Sequence, residues 1–334
     1  MRQGFKGLLK SPWMLILLAV LTAVATASAA PPESLTGERE DFLIIRTTPQ
    51  DSFASLAARY YGDARHGWWI AQFNGVETVL PDQTLVIPLQ PMGRGGLDPN
   101  GYQVVPILAY EWTASRPEGS QTVSAAAFEA QMQFLQNMGY HPVSLDHLLD
   151  FMDFKVPLPR QAVVITFDGA GQEILDIAAP ILRRFHFPAG LFVDTDSVGR
   201  KHALTWERIK ALRLQGIEVH SFTKTGRDLT QPASSESFAD YLKALEAELL
   251  ISKKTIEKKT GQKCRFLAYP HGRTSDMVIA FLKKHGYRAG FTRKSGSNPF
   301  FVGSFRIQRA LITGSTTLNE FKQHLTVFAE SKLE

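Results

Sequence analysis

The chain of 334 residues is 44% hydrophobic and 21% charged, a globular composition that excludes a disordered, collagen-like or polytopic membrane protein. Its single cysteine, Cys264, excludes an internal disulfide and a cysteine-built zinc ribbon. The net charge of +5 owes much to Arg2, Lys6 and Lys10, which lie in a leading stretch without acids, so it gives no ground for a nucleic-acid partner.

Residues 1–29 read as an export signal: a basic start, the apolar run Trp13 to Leu21, then small residues ending Ala27-Ser28-Ala29. Cleavage after Ala29 places Ala27 and Ala29 at the small-residue positions. The apolar run is shorter than the ~20 residues of a comfortable span, so a membrane anchor results only if the signal stays uncleaved. No cysteine stands at the boundary to carry a lipid. The expected location is the periplasm or cell envelope. A polar linker over 30–41 precedes a small unit over 42–89. There Phe42-Leu43-Ile44-Ile45 predicts a strand, and Asp51-Ser52 caps a helix carrying Phe53, Leu56, Ala57 and Tyr60. Trp69, Ile70 and Phe73 predict a second helix stopped at Asn74-Gly75, and Leu85 to Pro88 a closing strand. Residues 90–103, rich in Gly and Pro, read as a second linker.

From Val104 to about residue 330, apolar strands alternate with amphipathic stretches. Strands are predicted at 104–108, 162–167, 189–193, 217–221, 266–269 and 289–292. Helices are predicted around Phe128–Leu135, Ile174–Leu182, Trp206–Leu212, 237–260 and 276–285. The run Ala162 to Phe167 is apolar throughout, as for a strand buried on both faces. Such alternation predicts a parallel α/β sheet or barrel, whose chemistry sits at the C-terminal strand ends. Three ends stand out: Asp168-Gly169-Ala170-Gly171, His220-Ser221-Phe222-Thr223 and Tyr269-Pro270-His271-Gly272.

These ends, with Pro106 to Tyr110, Val143-Ser144-Leu145, Ile165-Thr166-Phe167-Asp168, Leu267 to Gly272 and Phe305 to Arg309, resemble the polysaccharide deacetylase family, carbohydrate esterase family 4. The resemblance implies a distorted parallel (β/α) barrel that removes acetyl groups from sugars such as chitin, peptidoglycan and poly-N-acetylglucosamine. Residues 42–89 resemble a LysM module, a βααβ unit that binds N-acetylglucosamine-containing chains, through Asp51, Ser52, Asn74, Gly75, Leu80 and Pro81. That family usually has glycine where Gln50 and Asp82 stand.

The deacetylase resemblance also implies a divalent metal, usually zinc, held by one Asp and two His. A metal with an open position lowers the pKa of bound water to about 7 and polarises the acetyl carbonyl. Asp168 matches the family's base, but Gly169 stands at the Asp ligand, and Phe222 and Gly226 stand at the two histidines. Glu111 replaces a histidine after the opening tyrosine, and His271 replaces the third motif's tyrosine, leaving a backbone N–H for an oxyanion hole. The resemblance therefore implies Asp168 and His271 as the remaining catalytic pair. Trp112, Tyr269, Pro270, Gly272 and Arg309 would be the substrate side, with Arg309 in an internal ion pair to a carboxylate. No cofactor is expected unless His220, two residues before Phe222 and about 6–7 Å deeper on the same face, joins Asp168 and His271 in a relocated zinc site.

The expectation is an exported protein with a LysM-like module and a deacetylase-type barrel. It would bind an N-acetylglucosamine-containing polysaccharide or peptidoglycan and be catalytically impaired. The alternatives are an active deacetylase with a rearranged site and a structural envelope protein that contacts another protein.

Overall fold

The computed structural model describes residues 42–89, 94–98, 101–112 and 122–331. The expected signal over 1–29 and linker over 30–41 lie outside the described residues. The described chain forms two compact units, one within 42–89 and one within 94–331.

The first unit runs β1 (Phe42–Arg46), α1 (Phe53–Tyr61), α2 (Gly67–Asn74) and β2 (Thr84–Pro88). The strands pair antiparallel, with Phe42 opposite Pro88 and Arg46 opposite Thr84. Ser52 caps α1 by accepting from the Ser55 N–H, while the Ser52 N–H donates to the Ser55 hydroxyl. Leu56, Ala57 and Ile70 pack on Ile45, Leu85 and Ile87, a core that neither helix nor hairpin could bury alone.

The second unit opens with β3 (Leu97–Asp98), β4 (Gly101–Gln103), β5 (Val105–Glu111), α3 (Ala125–Asn137), β6 (His141–Pro142) and α4 (Leu145–Met152). It continues through β7 (Ala162–Asp168), α5 (Ala179–Phe185), β8 (Ala189–Val193), α6 (Trp206–Arg213), β9 (Ile217–Ser221) and α7 (Phe238–Thr260). It ends with β10 (Phe266–Ala268), α8 (Asp276–Lys284), β11 (Ala289–Phe291), β12 (Ser297–Asn298), β13 (Ala310–Ile312), α9 (Leu318–Gln323) and β14 (Phe328–Glu330). The main sheet runs β11-β10-β9-β8-β7-β5-β13 in parallel, with β6 parallel to β7 and the short β12 antiparallel to β5. Its two ends approach each other: Phe291 bridges Ile307, the Thr292 N–H donates to Ile307 O at 2.8 Å, and the Arg309 N–H donates to Lys294 O at 3.1 Å. The sheet thus curls into the barrel-type α/β architecture expected from the alternation.

The period-2 rule sorts the side chains of every strand. Val163, Ile165, Phe167, Val219 and Leu267 face the surrounding helices. Val105, Ile107, Val164, Phe192, Phe266 and Phe291 face the interior. This parity decides what reaches the mouth of the barrel.

One boundary is corrected. Leu97–Asp98 and Gly101–Gln103, within the expected linker over 90–103, form a small antiparallel sheet with Phe328–Glu330. Glycine-rich composition read as linker because the pairing strand lies at the far end of the unit, where local sequence carries no trace of it.

Candidate functional site

β7 ends in Asp168, which the parity of Val164 and Thr166 turns inward. Asp168 is fully buried, and so is Arg309. The guanidinium of Arg309 grips the carboxylate with both ends, Nη1 to Oδ1 at 2.6 Å and Nη2 to Oδ2 at 2.8 Å. Its Nε donates to Thr292 O at 3.1 Å and its Nη1 also reaches the Thr166 hydroxyl at 3.2 Å. The plane lies over the Phe192 ring at 5.3 Å.

A second arginine approaches from β11. Arg293 has the inward parity of Ala289 and Phe291. Its Nη2 donates to Glu111 Oε1 at 3.0 Å and lies 3.6 Å from Asp168 Oδ2. The guanidinium packs on the Phe222 ring at 5.9 Å, and the side chain is only 16% exposed. Burial works to lower the pKa of Arg293, but the charges of Asp168 and Glu111 outweigh it and raise the value. Sequence reasoning missed Arg293, although a charge just past an inward-facing strand position is the same signal that marked Asp168.

The residues at the expected ligand positions do not fit a zinc ion. Gly169 and Phe222 offer no donor, and Phe222 is itself buried as packing. Gly226 has φ +79 and Gly169 φ +102, a backbone that favours glycine. A Cβ at 226 would stand 3.9 Å from Asp194 Cβ and 4.0 Å from Phe222 Cδ1, so it is backbone conformation more than space that disfavours a side chain there. Asp194 continues the inward parity of β8, accepts a hydrogen bond from Ser197, and has its pKa pushed up by burial. Among the described residues, no three His, Cys, Asp or Glu side chains converge as a metal cluster.

The relocated site also fails. His220 is buried, with its ring edge-on to Phe266 at 4.6 Å. Its Nε2 lies 3.3 Å from Gln262 Nε2, and its Nδ1 has no hydrogen-bond partner. Burial, then the charges of Arg265 and Lys253, lower its pKa to about 3, so the ring is neutral. It is an interior packing residue. His271 is exposed, with φ +56. The following Gly272 (φ +70) is required by close approach, since a Cβ there would stand 2.5 Å from the Arg293 nitrogen. Pro270 is buried, and its turn lies against the Arg293 backbone.

Two residues expected on the substrate side lie in the packing. Trp112 is 1% exposed and stacks on Phe167 at 5.2 Å. Tyr269 is fully buried, its hydroxyl donates to Phe305 O at 2.9 Å, and burial pushes its pKa up to about 12. Both carry outward parity, Trp112 with Tyr110 and Tyr269 with Leu267, so they pack against the surrounding helices. The mouth is built from Glu111, Asp168, Asp194, Phe222 and Arg293.

In the first unit, Asp51 accepts from the Thr48 N–H at 2.7 Å and hydroxyl at 2.9 Å, and pairs with Arg59 at 2.9 Å. Burial raises its pKa, but these partners together hold it below the ordinary value. Asn74 closes α2 onto β2: its Oδ1 accepts from the Val86 N–H, and its Nδ2 donates to Ile70 O and Val86 O, at 2.7, 2.8 and 2.7 Å. Gly75 ends the helix in a left-handed turn. The Thr47 hydroxyl donates to Leu80 O at 2.6 Å, tying the loop after β1 to the loop before β2. Leu80 is 60% exposed and Pro81 is exposed. Asp82 has φ +60, and Asp is among the residues that tolerate such a backbone.

A model described as polysaccharide deacetylase matches residues 155–290. The poly-beta-1,6-N-acetyl-D-glucosamine N-deacetylase of Escherichia coli K12 is 28% identical over 245 residues, covering 63% of this chain and 36% of the relative. A solved polysaccharide deacetylase from Bacillus cereus is 25% identical with TM-score 0.56, covering 75% of this chain and 74% of that one. The Streptococcus pyogenes deacetylase PplD shares the fold at 22% identity and TM-score 0.60, covering 67% and 98%. Residues 155–290 of this chain thus match the polysaccharide deacetylase model, and the unit that contains them has the fold of solved deacetylases.

Proposed function

We propose that the protein is an exported cell-envelope protein that binds an N-acetylglucosamine polymer, with a deacetylase domain that no longer performs the family's metal-dependent hydrolysis. One observation carries this reading: the three positions that the resemblance gives to the metal ligands hold Gly169, Phe222 and Gly226, none of which has a donor side chain. A bound zinc ion would supply several kcal/mol of transition-state stabilisation that this donor set has no means to recruit.

The relatives named for poly-β-1,6-N-acetylglucosamine make that polymer the first ligand to test. The unit over 42–89 supports a second contact with the same class of chain, since its strand–helix–helix–strand order is that of a LysM module, with Leu80 and Pro81 exposed on one loop. The signal-like residues 1–29 support export to the periplasm or envelope.

The test incubates the protein lacking 1–29 with insoluble poly-β-1,6-N-acetylglucosamine, chitin and peptidoglycan, with and without added zinc. Retention on at least one polymer without acetate release is expected. Chelator-sensitive acetate release would overturn the loss of hydrolysis, and failure to bind any polymer would favour a protein-contacting role.

A further inference from the structure

We propose that Arg293 is the resident cation of the deacetylase cleft: its guanidinium holds the point where the carboxylates of Asp168 and Glu111 converge, and keeps that point closed to a divalent ion. The geometry is specific. A single atom, Arg293 Nη2, lies 3.0 Å from Glu111 Oε1 and 3.6 Å from Asp168 Oδ2. The two carboxylates belong to residues directly opposite each other on β5 and β7. Asp168 is wholly buried, Arg293 is 16% exposed, its guanidinium lies over the Phe222 ring, and its backbone and Cβ lie against Gly272. Arg309 and Arg293 together balance the charges of Asp168 and Glu111, leaving Asp194 as the further carboxylate of the mouth. Two carboxylates facing one point, with no cation between them, would repel each other and attract a hard cation.

The chain has thus done more than lose three ligands. It has put a side-chain cation beside the remaining carboxylate, which makes ion binding unfavourable even where oxygen donors persist. This goes beyond the glycan-binding reading and does not depend on it.

The test titrates Mn²⁺ into chelator-treated protein lacking 1–29, reading heat and the loss of the free Mn²⁺ paramagnetic signal. Wild type and Arg293→Lys are expected to show no saturable uptake. Arg293→Ala is expected to gain one site with Kd on the order of 10⁻⁴–10⁻³ M, the range of open carboxylate sites. Arg293→Ala combined with Glu111→Gln should lose it again, which a merely structural role for Arg293 would not produce. If Arg293→Ala does not fold, Arg293→Met keeps the stem over Phe222 and is titrated in its place. A folded variant without Mn²⁺ uptake, uptake that survives Glu111→Gln, or equal uptake by wild type overturns the proposal.

Discussion

Replacing Arg309 by Met tests whether the deacetylase unit depends on a buried ion pair. Arg309 and Asp168 are both fully buried and joined by two hydrogen bonds of 2.6 and 2.8 Å. Methionine keeps the apolar length of the side chain but leaves the carboxylate, among the described residues, with only Arg293, 3.6 Å away. Breaking one side of a buried pair costs about 3–5 kcal/mol because the orphaned charge stays desolvated. For a unit of this size that corresponds to a fall in Tm of about 10 °C. Asp168→Leu should cost a similar amount by orphaning Arg309. Replacing a whole buried pair with apolar residues of similar volume is often neutral, so the double variant Asp168→Leu/Arg309→Met should be more stable than either single one. Urea unfolding followed by circular dichroism reads all four corners of the cycle. A cost for Arg309→Met below about 1 kcal/mol, or a double variant equal to the sum of the singles, refutes the reasoning.

His220 gives a pH prediction with a definite sign. Its pKa is lowered to about 3 by burial, then by the charges of Arg265 and Lys253, so the unfolded chain binds a proton over the window from about 6.5 to 3 that the folded chain refuses. Stability from this group is complete above pH 6.5 and is lost as pH falls, by about 1.4 kcal/mol per pH unit within the window. Glu218, whose pKa is raised by burial and by the neighbouring Asp146, acts in the opposite direction, so the quantity to measure is wild type minus His220→Leu in urea at pH 7, 5.5 and 4.5. A difference that does not change with pH would contradict the buried neutral ring. In the first unit, Asn74→Ala removes two hydrogen bonds between α2 and β2 and one within α2, and should cost about 2 kcal/mol, seen as roughly 30-fold faster hydrogen exchange at the Val86 amide. Unchanged exchange there would show that Asn74 does not hold the unit together.

Much of this was legible from local pattern. The apolar run Ala162 to Phe167 ending in Asp168 marks a buried parallel strand, and the structure places that strand there. The missing donors at Gly169, Phe222 and Gly226 are plain in the sequence, but the left-handed backbone at the two glycines is not, because it is set by how the loops close. Trp112 and Tyr269 were read as sugar-facing from their nearness to strand ends. Alternation from Tyr110 and Leu267 would have turned them outward, so that error lay in applying proximity before parity. Arg293 reaches Asp168 from β11, a strand far along the chain, and a contact of that kind exists only once the sheet has curled. The pairing of Gly101–Gln103 with β14, inside the expected linker over 90–103, is hidden from local pattern for the same reason.

The account stands or falls on whether the deacetylase cleft takes up a catalytic metal. The protein lacking 1–29 would be incubated with excess zinc, desalted and measured for zinc per chain by mass spectrometry alongside acetate release from poly-β-1,6-N-acetylglucosamine. The expected result is zinc far below one per chain and acetate release no faster than in a protein-free control. One zinc per chain, removable by chelator together with acetate release, would contradict it.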